Sequence, residues 1–307
     1  MTFRSLVILG PTASGKSSLA MALATSDAGR DLGIELLSID AMQVYRGMDI
    51  GTAKPTASEQ ALVRHHLIDL VDATQAFTVA QFQIAYQHAV DDITSRGGRA
   101  LLVGGTGLYV RAVVDGLTLP GQWPEVRARL DDELITLGPE ALHQRLCQLD
   151  PTAGSKMEPS NSRRIIRALE VCEGSGRPFS SFGPGVDTYP ASEVQQVALR
   201  WPRDVLARRI EERVQVMIER GLQAEVEKLL TQGLSPTALQ ALGYKEMVEH
   251  IEGRMSLEEV IATIVVKTRQ FAVRQERWFR RDPRINWFDI ESDPVTEVAP
   301  QLIGLLA

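Results

Sequence analysis

The chain has 307 residues and a hydrophobic content of 44%, enough apolar material for one large domain or two moderate ones. Its formal net charge is −6, so the composition gives no global sign of nucleic-acid binding, and any basic surface has to be local. Cys147 and Cys172 match no metal or redox spacing, no apolar stretch reaches membrane-spanning length and no signal peptide is expected, so we expect a cytoplasmic protein without a membrane partner.

The first predicted elements are a strand, a glycine-rich loop and a helix. Residues 6–9 are an apolar run of strand length, and residues 18–24 form a helix-forming stretch. The loop between them fits the phosphate-loop pattern, in which backbone N–H groups and the helix N-terminus bind phosphate. Lys16 adds a charge on the outer phosphates, and the Ser17 hydroxyl can ligate Mg²⁺. The sequence therefore predicts an oligophosphate site formed by Gly10, Pro11, Thr12, Ala13, Ser14, Gly15, Lys16 and Ser17.

The next predicted elements continue an alternation of strands and helices. Residues 35–39 are predicted as a second strand and residues 100–103 as a buried strand, and residues 77–95 have helical spacing. Such alternation predicts an α/β fold with a parallel sheet and helices on both faces. Ligands of such sheets bind at the carboxyl ends of the strands. Three residues at or just after predicted strand ends should therefore converge on one crevice: Gly10, Asp40 and Thr106.

Asp40 and Thr106 each allow two interpretations. A carboxylate beside a phosphate loop can act as a general base or support Mg²⁺ indirectly, but it can also cap the turn that follows. Thr106 lies in the Gly-Gly-Thr-Gly loop 104–107, where its hydroxyl can donate to a phosphate oxygen or cap the next helix. Gln43 and Tyr45 are further candidates for hydrogen bonds to a polar substrate.

Residues from about 116 to 187 change character. Proline and glycine mark their beginning at 119–121 and their end at 182–185, and no strand pattern occurs between these points. The predicted helical stretches are 124–137, 140–149 and 162–173. We therefore predict an all-helical insertion domain, residues 116–187, within a core domain formed by residues 1–115 and 188–307.

The chain after the insertion begins with one predicted strand, residues 194–200. A long helix is predicted over residues 203–232, ending at Gly233 as a C-cap. Further long helices follow, and no other strand is predicted in this region.

Two basic clusters could bind a phosphate backbone. Arg163, Arg164 and Arg167 lie within one predicted helix, and either a nucleic-acid contact or a solvated face explains them. The second cluster interleaves cations with aromatic residues: Lys267, Phe271, Arg274, Arg277, Trp278, Phe279 and Arg281. That pattern suits phosphates with stacked bases, but we favour a solvated helix face with its aromatic side chains in the core.

A combination of longer motifs carries a resemblance to a known family. The stretch DAMQVYRGMDIGTAKP occupies residues 40–55, GGTGLY occupies 104–109, RIIRALE occupies 164–170, and Gly243 and Tyr244 follow later. With the phosphate loop, these motifs resemble the bacterial tRNA dimethylallyltransferases, also called tRNA isopentenyltransferases, up to about Trp287. Ala41 stands where the family often has serine. The chain lacks the Cys and His pairs of the zinc-finger extension found in eukaryotic relatives, so it resembles the compact bacterial form.

The resemblance implies a P-loop NTPase-like fold and a prenyl-transfer reaction. The family transfers a dimethylallyl group from dimethylallyl diphosphate to N6 of adenine 37 in tRNA and releases diphosphate. Its phosphate loop is of the nucleotide-binding and ATP-binding type, although the reaction need not hydrolyse ATP. The implied catalytic residues are Lys16, Asp40 as the base and Thr106, with Mg²⁺ on Ser17. Arg213 is the implied additional diphosphate contact, with Arg209 close enough in sequence to be confused with it.

The resemblance also implies that the helical insertion grips the anticodon stem-loop of tRNA while the sheet domain holds the donor. The target base is normally stacked, so it has to be flipped into the pocket. The implied tRNA-binding residues are Asp40, Ala41, Met42, Gln43, Thr106, Arg127, Arg163, Arg164, Ile165, Ile166, Arg167, Gly243 and Tyr244. We expect a monomer.

Three other functions remain open from the residues alone. A small-molecule kinase would use the phosphate loop for ATP and Asp40 to activate a hydroxyl, but the chain offers no obvious lid with catalytic arginines. A prenyltransferase acting on free adenine nucleotides would not need the insertion or its arginines. A non-enzymatic RNA-binding module would leave the phosphate loop without a role.

Overall fold

The computed structural model describes residues 5–183, 185–186 and 188–306. The chain divides into two compact units, a larger one formed by Met1–Asp115 and Tyr189–Ala307 and a smaller one formed by Gly116–Thr188. The larger unit contains a six-stranded sheet, and the described residues of the smaller unit contain helices joined by loops and no strand. In the described part of the chain, no helix is both long and apolar enough to cross a bilayer.

The first half of the larger unit alternates strands and helices. Its elements are β1 Leu6–Leu9, α1 Lys16–Thr25, α2 Asp27–Asp31, β2 Ile34–Ile39, β3 Tyr45–Arg46, α3 Ala57–Leu62, β4 His65–His66, β5 Val71–Asp72, α4 Val79–Ser95, β6 Arg99–Gly104 and α5 Gly107–Val114. The predicted strands over residues 6–9, 35–39 and 100–103 are all present. The predicted helix 77–95 begins two residues late, because the Thr78 side chain caps it through the Gln81 N–H.

The helical unit contains α6 Pro124–Leu149, α7 Pro151–Gly154 and α8 Ser162–Ser175, followed by a single 3₁₀ turn. The two helices predicted on either side of residue 138 form one kinked element, because Gly138 adopts φ +79° and Pro139 follows it. The unit has its own small core, which includes Leu130, Leu146 and Leu169. The sequence predicts that residues 182–185 mark the end of this region, and of these Pro184 lies outside the described residues.

The second half of the larger unit contains β7 Gln195–Arg200, α9 Arg203–Glu219, α10 Leu222–Gln232, α11 Pro236–Leu239, α12 Tyr244–Ile251, α13 Leu257–Phe279, β8 Ile285–Asp289 and α14 Pro294–Leu306. The single helix predicted over 203–232 is wrong, because Gly221 adopts φ +93° and separates α9 from α10. The strand β8 was not predicted. It is a half-buried edge strand that pairs only with β7, so its residues carry a weak strand pattern.

The main sheet is entirely parallel, with strand order β4-β2-β6-β1-β7-β8. Its central strand β1 is fully buried, as a parallel strand covered on both faces must be. This arrangement confirms the predicted α/β fold class. Because β1, β2 and β6 are neighbours, their carboxyl ends bring the phosphate loop, Asp40 and the 104–107 loop to one edge of the sheet.

Candidate active site

Two side chains from the segment after β7 donate hydrogen bonds to backbone carbonyls of the phosphate loop. Arg209 Nε donates to the carbonyl of Ala13 and Trp201 Nε1 donates to the carbonyl of Ser14, each at 2.9 Å. The Arg209 guanidinium also stacks over the Trp201 ring at 4.4 Å. Ala13 adopts the left-handed conformation, with φ +63°, which a non-glycine residue keeps only when its surroundings enforce it. The sequence indicates Arg209 only as an alternative to Arg213 for the diphosphate contact, and it does not indicate Trp201.

The donors of the loop remain available to a ligand. Within the described residues, the backbone N–H groups of Gly15, Lys16, Ser17 and Ser18 have no hydrogen-bond acceptor, as is general at the start of a helix. Gly10 is required for the loop path, since a Cβ there would lie 2.7 Å from Ser14 Oγ. The loop therefore presents several N–H donors and the positive end of α1 to one point, the arrangement that binds an anion.

Two cations add charge to the same site. Lys16 Nζ donates only to the Pro11 carbonyl, at 3.3 Å. Burial and the nearby charge of Arg213 lower the pKa of Lys16 to about 8, partly opposed by Asp40. Burial also lowers the pKa of Arg213, against the opposing charge of Asp40. Arg213 makes no hydrogen bond among the described residues, so all its donors are left for a ligand. Arg209 uses its Nε–H on the loop carbonyl and keeps the donors of its two terminal nitrogens.

Asp40 caps the turn that follows it and has one carboxylate oxygen without a partner among the described residues. Its Oδ1 accepts the backbone N–H of Met42 at 2.8 Å and that of Gln43 at 3.4 Å, which is the capping role. The other carboxylate oxygen has no hydrogen bond within the described residues, and Asp40 lines the same cleft as Lys16 and Arg213. The cap fixes one oxygen and leaves the other free to accept a proton.

Thr106 is connected to the Asp40 turn. It occupies the N-cap position of α5, but its side chain makes no capping hydrogen bond. Its Oγ1 instead accepts the backbone N–H of Ala41 at 3.3 Å, next to Asp40. The hydroxyl proton remains available to a phosphate oxygen or a substrate amine.

The specific stretch 40–55 forms a compact loop around buried polar side chains. Gln43 accepts from Ser38 Oγ at 2.6 Å and donates to the carbonyls of Thr52 and Ala53. Lys54, with a side chain only 2% exposed, donates to the Tyr45 carbonyl and pairs with Asp49 and Asp69, each at 2.6 Å. Several buried polar groups have to find hydrogen-bond partners within this one short segment, and that requirement restricts which residues can occupy it.

Tyr244, the first residue of α12, packs against this loop. Glu225 accepts the N–H groups of Asp49, Ile50 and Gly51 and also the Tyr244 hydroxyl, the last at 2.5 Å. The Tyr244 side chain is fully buried against Gly51, and its burial raises its pKa. The Tyr244 ring has no exposed surface, so the implied contact of this residue with tRNA, which stays a prediction, is not one that the ring offers in this structure. Gly243 beside it adopts φ +94° and begins α12.

The implied tRNA-binding residues of the helical unit separate into three groups. Arg163 and Arg164 are exposed. Arg167 instead donates to the carbonyls of Pro120 and Gly121 and pairs with Glu170, and Arg127 pairs with Asp131. The Ile165 and Ile166 side chains belong to the core of the unit, so they offer no surface to tRNA in this structure, and the implied contact of these residues stays a prediction. Both alternatives, a nucleic-acid contact and a solvated face, therefore stay open for Arg163 and Arg164.

The second basic cluster on α13 is mixed as well. Phe279 is buried as expected, and Trp278 is partly buried, but Phe271 is 36% exposed and lines the cleft. Lys267 pairs with Glu246. The preferred solvated-face interpretation therefore does not hold for Phe271.

The cleft that these groups line has a volume of about 560 Å³. Its lining includes residues of the phosphate loop, Lys16, Arg213 and Asp40. It also includes apolar side chains, among them Met21, Leu36, Val103, Val216 and Phe271. A cleft lined by both cations and apolar side chains fits a small apolar group carried on an oligophosphate.

A divalent cation would need ligands beyond the protein. Ser17 lies exposed at the N-terminus of α1, with a hydroxyl that makes no hydrogen bond among the described residues. No group of three or more His, Cys, Asp or Glu side chains in the described part of the chain could enclose a metal ion. This donor set fits Mg²⁺, which commonly takes few protein ligands and completes its shell with substrate phosphates and water.

Known proteins share this fold and these motifs over nearly the whole chain. A tRNA dimethylallyltransferase of Kineococcus radiotolerans is 48% identical, across 98% of this chain and 96% of its own. One from Streptomyces avermitilis is 45% identical, across 99% and 95%. The solved tRNA isopentenylpyrophosphate transferase of Bacillus halodurans is 39% identical with a TM-score of 0.68, across 99% and 97%. A solved eukaryotic dimethylallyltransferase acting on tRNA is 25% identical with a TM-score of 0.79, across 98% of this chain and 78% of that protein.

These similarities confirm the resemblance drawn from the motifs. Residues 43–282 also match the family model described as IPP transferase. The chain therefore belongs to the IPP transferase family.

Proposed function

We propose that this protein transfers a dimethylallyl group from dimethylallyl diphosphate to N6 of adenine 37 in tRNA. One observation carries the proposal: an anion-binding loop with two cations and a free carboxylate oxygen share a single cleft in a chain similar over its length to tRNA dimethylallyltransferases. The products are the modified tRNA and inorganic diphosphate.

The donor binds by its diphosphate to the phosphate loop. The free N–H groups of residues 15–18, Lys16 and Arg213 together face the negative charge. That charge grows as the allylic C–O bond breaks and the electron pair leaves with the diphosphate, so these donors stabilise the transition state more than the bound donor. The dimethylallyl group lies against apolar walls of the cleft.

Asp40 acts as the base. The exocyclic amine of adenine is a poor nucleophile because its lone pair is delocalised into the ring. As the N6 lone pair forms the new C–N bond, the free oxygen of Asp40 accepts the N6 proton, while the other oxygen stays bound to the Met42 N–H. Thr106 holds this turn through Ala41 and helps to align the amine or the diphosphate.

Mg²⁺ is proposed as the cofactor, with Ser17 and the donor phosphates as ligands. When bound, the ion supplies charge that offsets the leaving diphosphate. The tRNA partner is proposed to be contacted by its anticodon stem-loop through exposed arginines of the helical unit, Arg163 and Arg164 above all.

The acceptor experiment separates this proposal from its rivals. The protein is incubated with dimethylallyl diphosphate and Mg²⁺ under three conditions: with tRNA, with a free nucleotide (AMP, ADP or ATP), and with tRNA and ATP together. The products are measured by mass spectrometry. The proposal expects a dimethylallyl adduct on tRNA alone. Adducts on free nucleotides would instead indicate a nucleotide prenyltransferase, and consumption of ATP would indicate a kinase.

A further inference from the structure

Gln275 is a buried amide on α13 that touches both catalytic loops. Its Oε1 accepts the backbone N–H of Thr12, in the phosphate loop, at 2.9 Å. Its Nε2 donates to the carbonyl of Gly105, in the 104–107 loop, at 2.8 Å. Because an N–H can only donate and a carbonyl can only accept, these two partners fix which end of the amide faces which loop.

This link is specific in the geometry of the site. Among the described residues, no other side chain hydrogen-bonds to both loops. The side chain of Gln275 is 7% exposed, and a Cβ on Gly105 would lie only 2.5 Å from its Nε2, so the glycine makes room for the amide. An unsatisfied buried amide is costly, so its two partners hold the side chain in one position.

The link continues to the proposed base. Gly105 precedes Thr106, whose Oγ1 accepts the Ala41 N–H, and Ala41 follows Asp40. A continuous path therefore runs from the loop that binds the donor phosphates, through Gln275, to the turn that carries the carboxylate. In the proposed reaction, the donor carbon and the base-assisted amine have to meet at reacting distance, and these two loops set that distance.

We propose that Gln275 is a positioning residue that fixes the spacing between the diphosphate loop and the Asp40 turn. The inference rests on the proposed function and deepens it. Gln275 also lines the cleft, but its Oε1 and Nε2 are hydrogen-bonded to the two loops. It acts through the Thr12 N–H and the Gly105 carbonyl, so its loss lowers the rate of transfer more than it lowers the affinity for either substrate.

The variant Gln275→Glu tests this idea through its protonation state. A carboxylate still accepts from the Thr12 N–H, but its second oxygen faces the Gly105 carbonyl, and two acceptors repel. The protonated acid restores the donor. Burial and the facing carbonyl both favour the neutral form, so its pKa lies above that of an ordinary glutamate. Gln275→Met keeps the length of the side chain and loses both hydrogen bonds at every pH. Gln270→Glu, exposed on the same helix, is the matched control.

Single-turnover transfer rates and donor affinities are measured for the four proteins from pH 5.5 to 8.5 and divided by the wild-type values at each pH. The pH dependence that all four proteins share, including that of Lys16, largely cancels in the ratio. A loop displacement of about 1 Å can cost roughly 100-fold in rate. We expect Gln275→Glu to be 10- to 100-fold slow at pH 8.5, by that estimate, and to recover towards acid pH. Gln275→Met should be slow throughout with a smaller loss of donor affinity, and Gln270→Glu should match the wild type.

A pH-independent ratio for Gln275→Glu, or a loss of rate equalled by the loss of donor affinity, would overturn the assignment. Amide hydrogen exchange supplies a readout without any transfer assay, and it decides the case if Gln275→Glu does not fold. Gln275→Met should speed exchange in peptides covering 10–17 and 104–108 together. Unchanged exchange in both peptides would overturn the link. Failure of the wild type to modify tRNA would refute the proposed function, and the exchange result would still decide the link between the loops.

Discussion

Asp40→Asn is the substitution that isolates the proposed base. The amide is nearly isosteric, and its oxygen can still accept the Met42 and Gln43 N–H groups, so the turn and the Thr106 contact should persist. What is lost is the free oxygen that accepts the N6 proton. A positioned base contributes about 10²–10⁴-fold to rate, which is about 3–5 kcal/mol of barrier.

The same substitution predicts the behaviour of donor binding. Asp40 places negative charge near Lys16 and Arg213, in the cleft that receives the diphosphate. Removing that charge relieves its repulsion with the donor, so the affinity for dimethylallyl diphosphate should not fall. Loss of rate without loss of affinity is therefore the signature of the base.

Rapid-quench single-turnover transfer to tRNA, with donor Kd measured in parallel, is the assay. Glu212→Gln is the matched control, because it removes one negative charge from the wall of the same cleft without touching the turn. We expect normal transfer by the control. Near-normal transfer by Asp40→Asn, or an equal loss in both variants, would refute Asp40 as the base.

Three further predictions concern the donor site, the tRNA surface and the fold. Lys16→Ala should lower the affinity for the donor by roughly 10- to 100-fold, as expected for the loss of a charged hydrogen bond. The affinity for tRNA should stay unchanged, and titration calorimetry measures both affinities. Because the pKa of Lys16 in the free enzyme is about 8, wild-type donor affinity should fall as pH rises above that value, and Lys16→Ala should lack this dependence. Arg163→Gln with Arg164→Gln should lower tRNA affinity and reduce the salt slope by about 0.7–0.9 per lost phosphate contact, in titrations at several salt concentrations; an unchanged slope would mean a solvated face. Gly51→Ala would place a Cβ 2.4 Å from the Tyr244 ring. It should lower the free energy of unfolding in urea by about 1–3 kcal/mol, and a change within error would contradict the packing described for that loop.

The meeting of the phosphate loop, Asp40 and the 104–107 loop at one edge of the sheet could be predicted from the sequence, because its signals are local. Strand, glycine loop and helix follow one another within residues 6–25, and the strands before Asp40 and the 104–107 loop are mainly apolar. A parallel sheet brings the ends of neighbouring strands together whatever the rest of the chain does. The convergence of these residues therefore needed only the strand assignments to be right.

The supporting residues could not be predicted, because their contacts are long-range. Gln275 is 263 positions from Thr12, and Trp201 is 187 from Ser14. Nothing in the residues around Gln275 distinguishes it from Gln270 on the same helix. The family resemblance assigned tRNA contacts to whole stretches of sequence, without separating buried from exposed residues. In the structure, the side chains of Ile165, Ile166 and Tyr244 are buried within stretches that also contain exposed residues.

The helix break at Gly221 shows where a local signal was outweighed. Residues 203–232 have helix-forming composition throughout, and a single glycine within a helix is often tolerated. Here Gly221 adopts φ +93° and begins α10, which carries Glu225 to the backbone of residues 49–51. The turn is thus required by a tertiary contact with the loop beside the active site.

The most direct test of the central claim is the site and stoichiometry of transfer. Purified protein is incubated with Mg²⁺, isotopically labelled dimethylallyl diphosphate and a tRNA carrying adenosine at position 37, beside the same tRNA with guanosine there. Nuclease fragments are then analysed by mass spectrometry, and released diphosphate is quantified. We predict one labelled dimethylallyl group per tRNA, on the fragment containing residue 37, one diphosphate released per group, and no product with guanosine. Label elsewhere in the tRNA, label on free nucleotides only, or release of orthophosphate without transfer would contradict the proposed reaction.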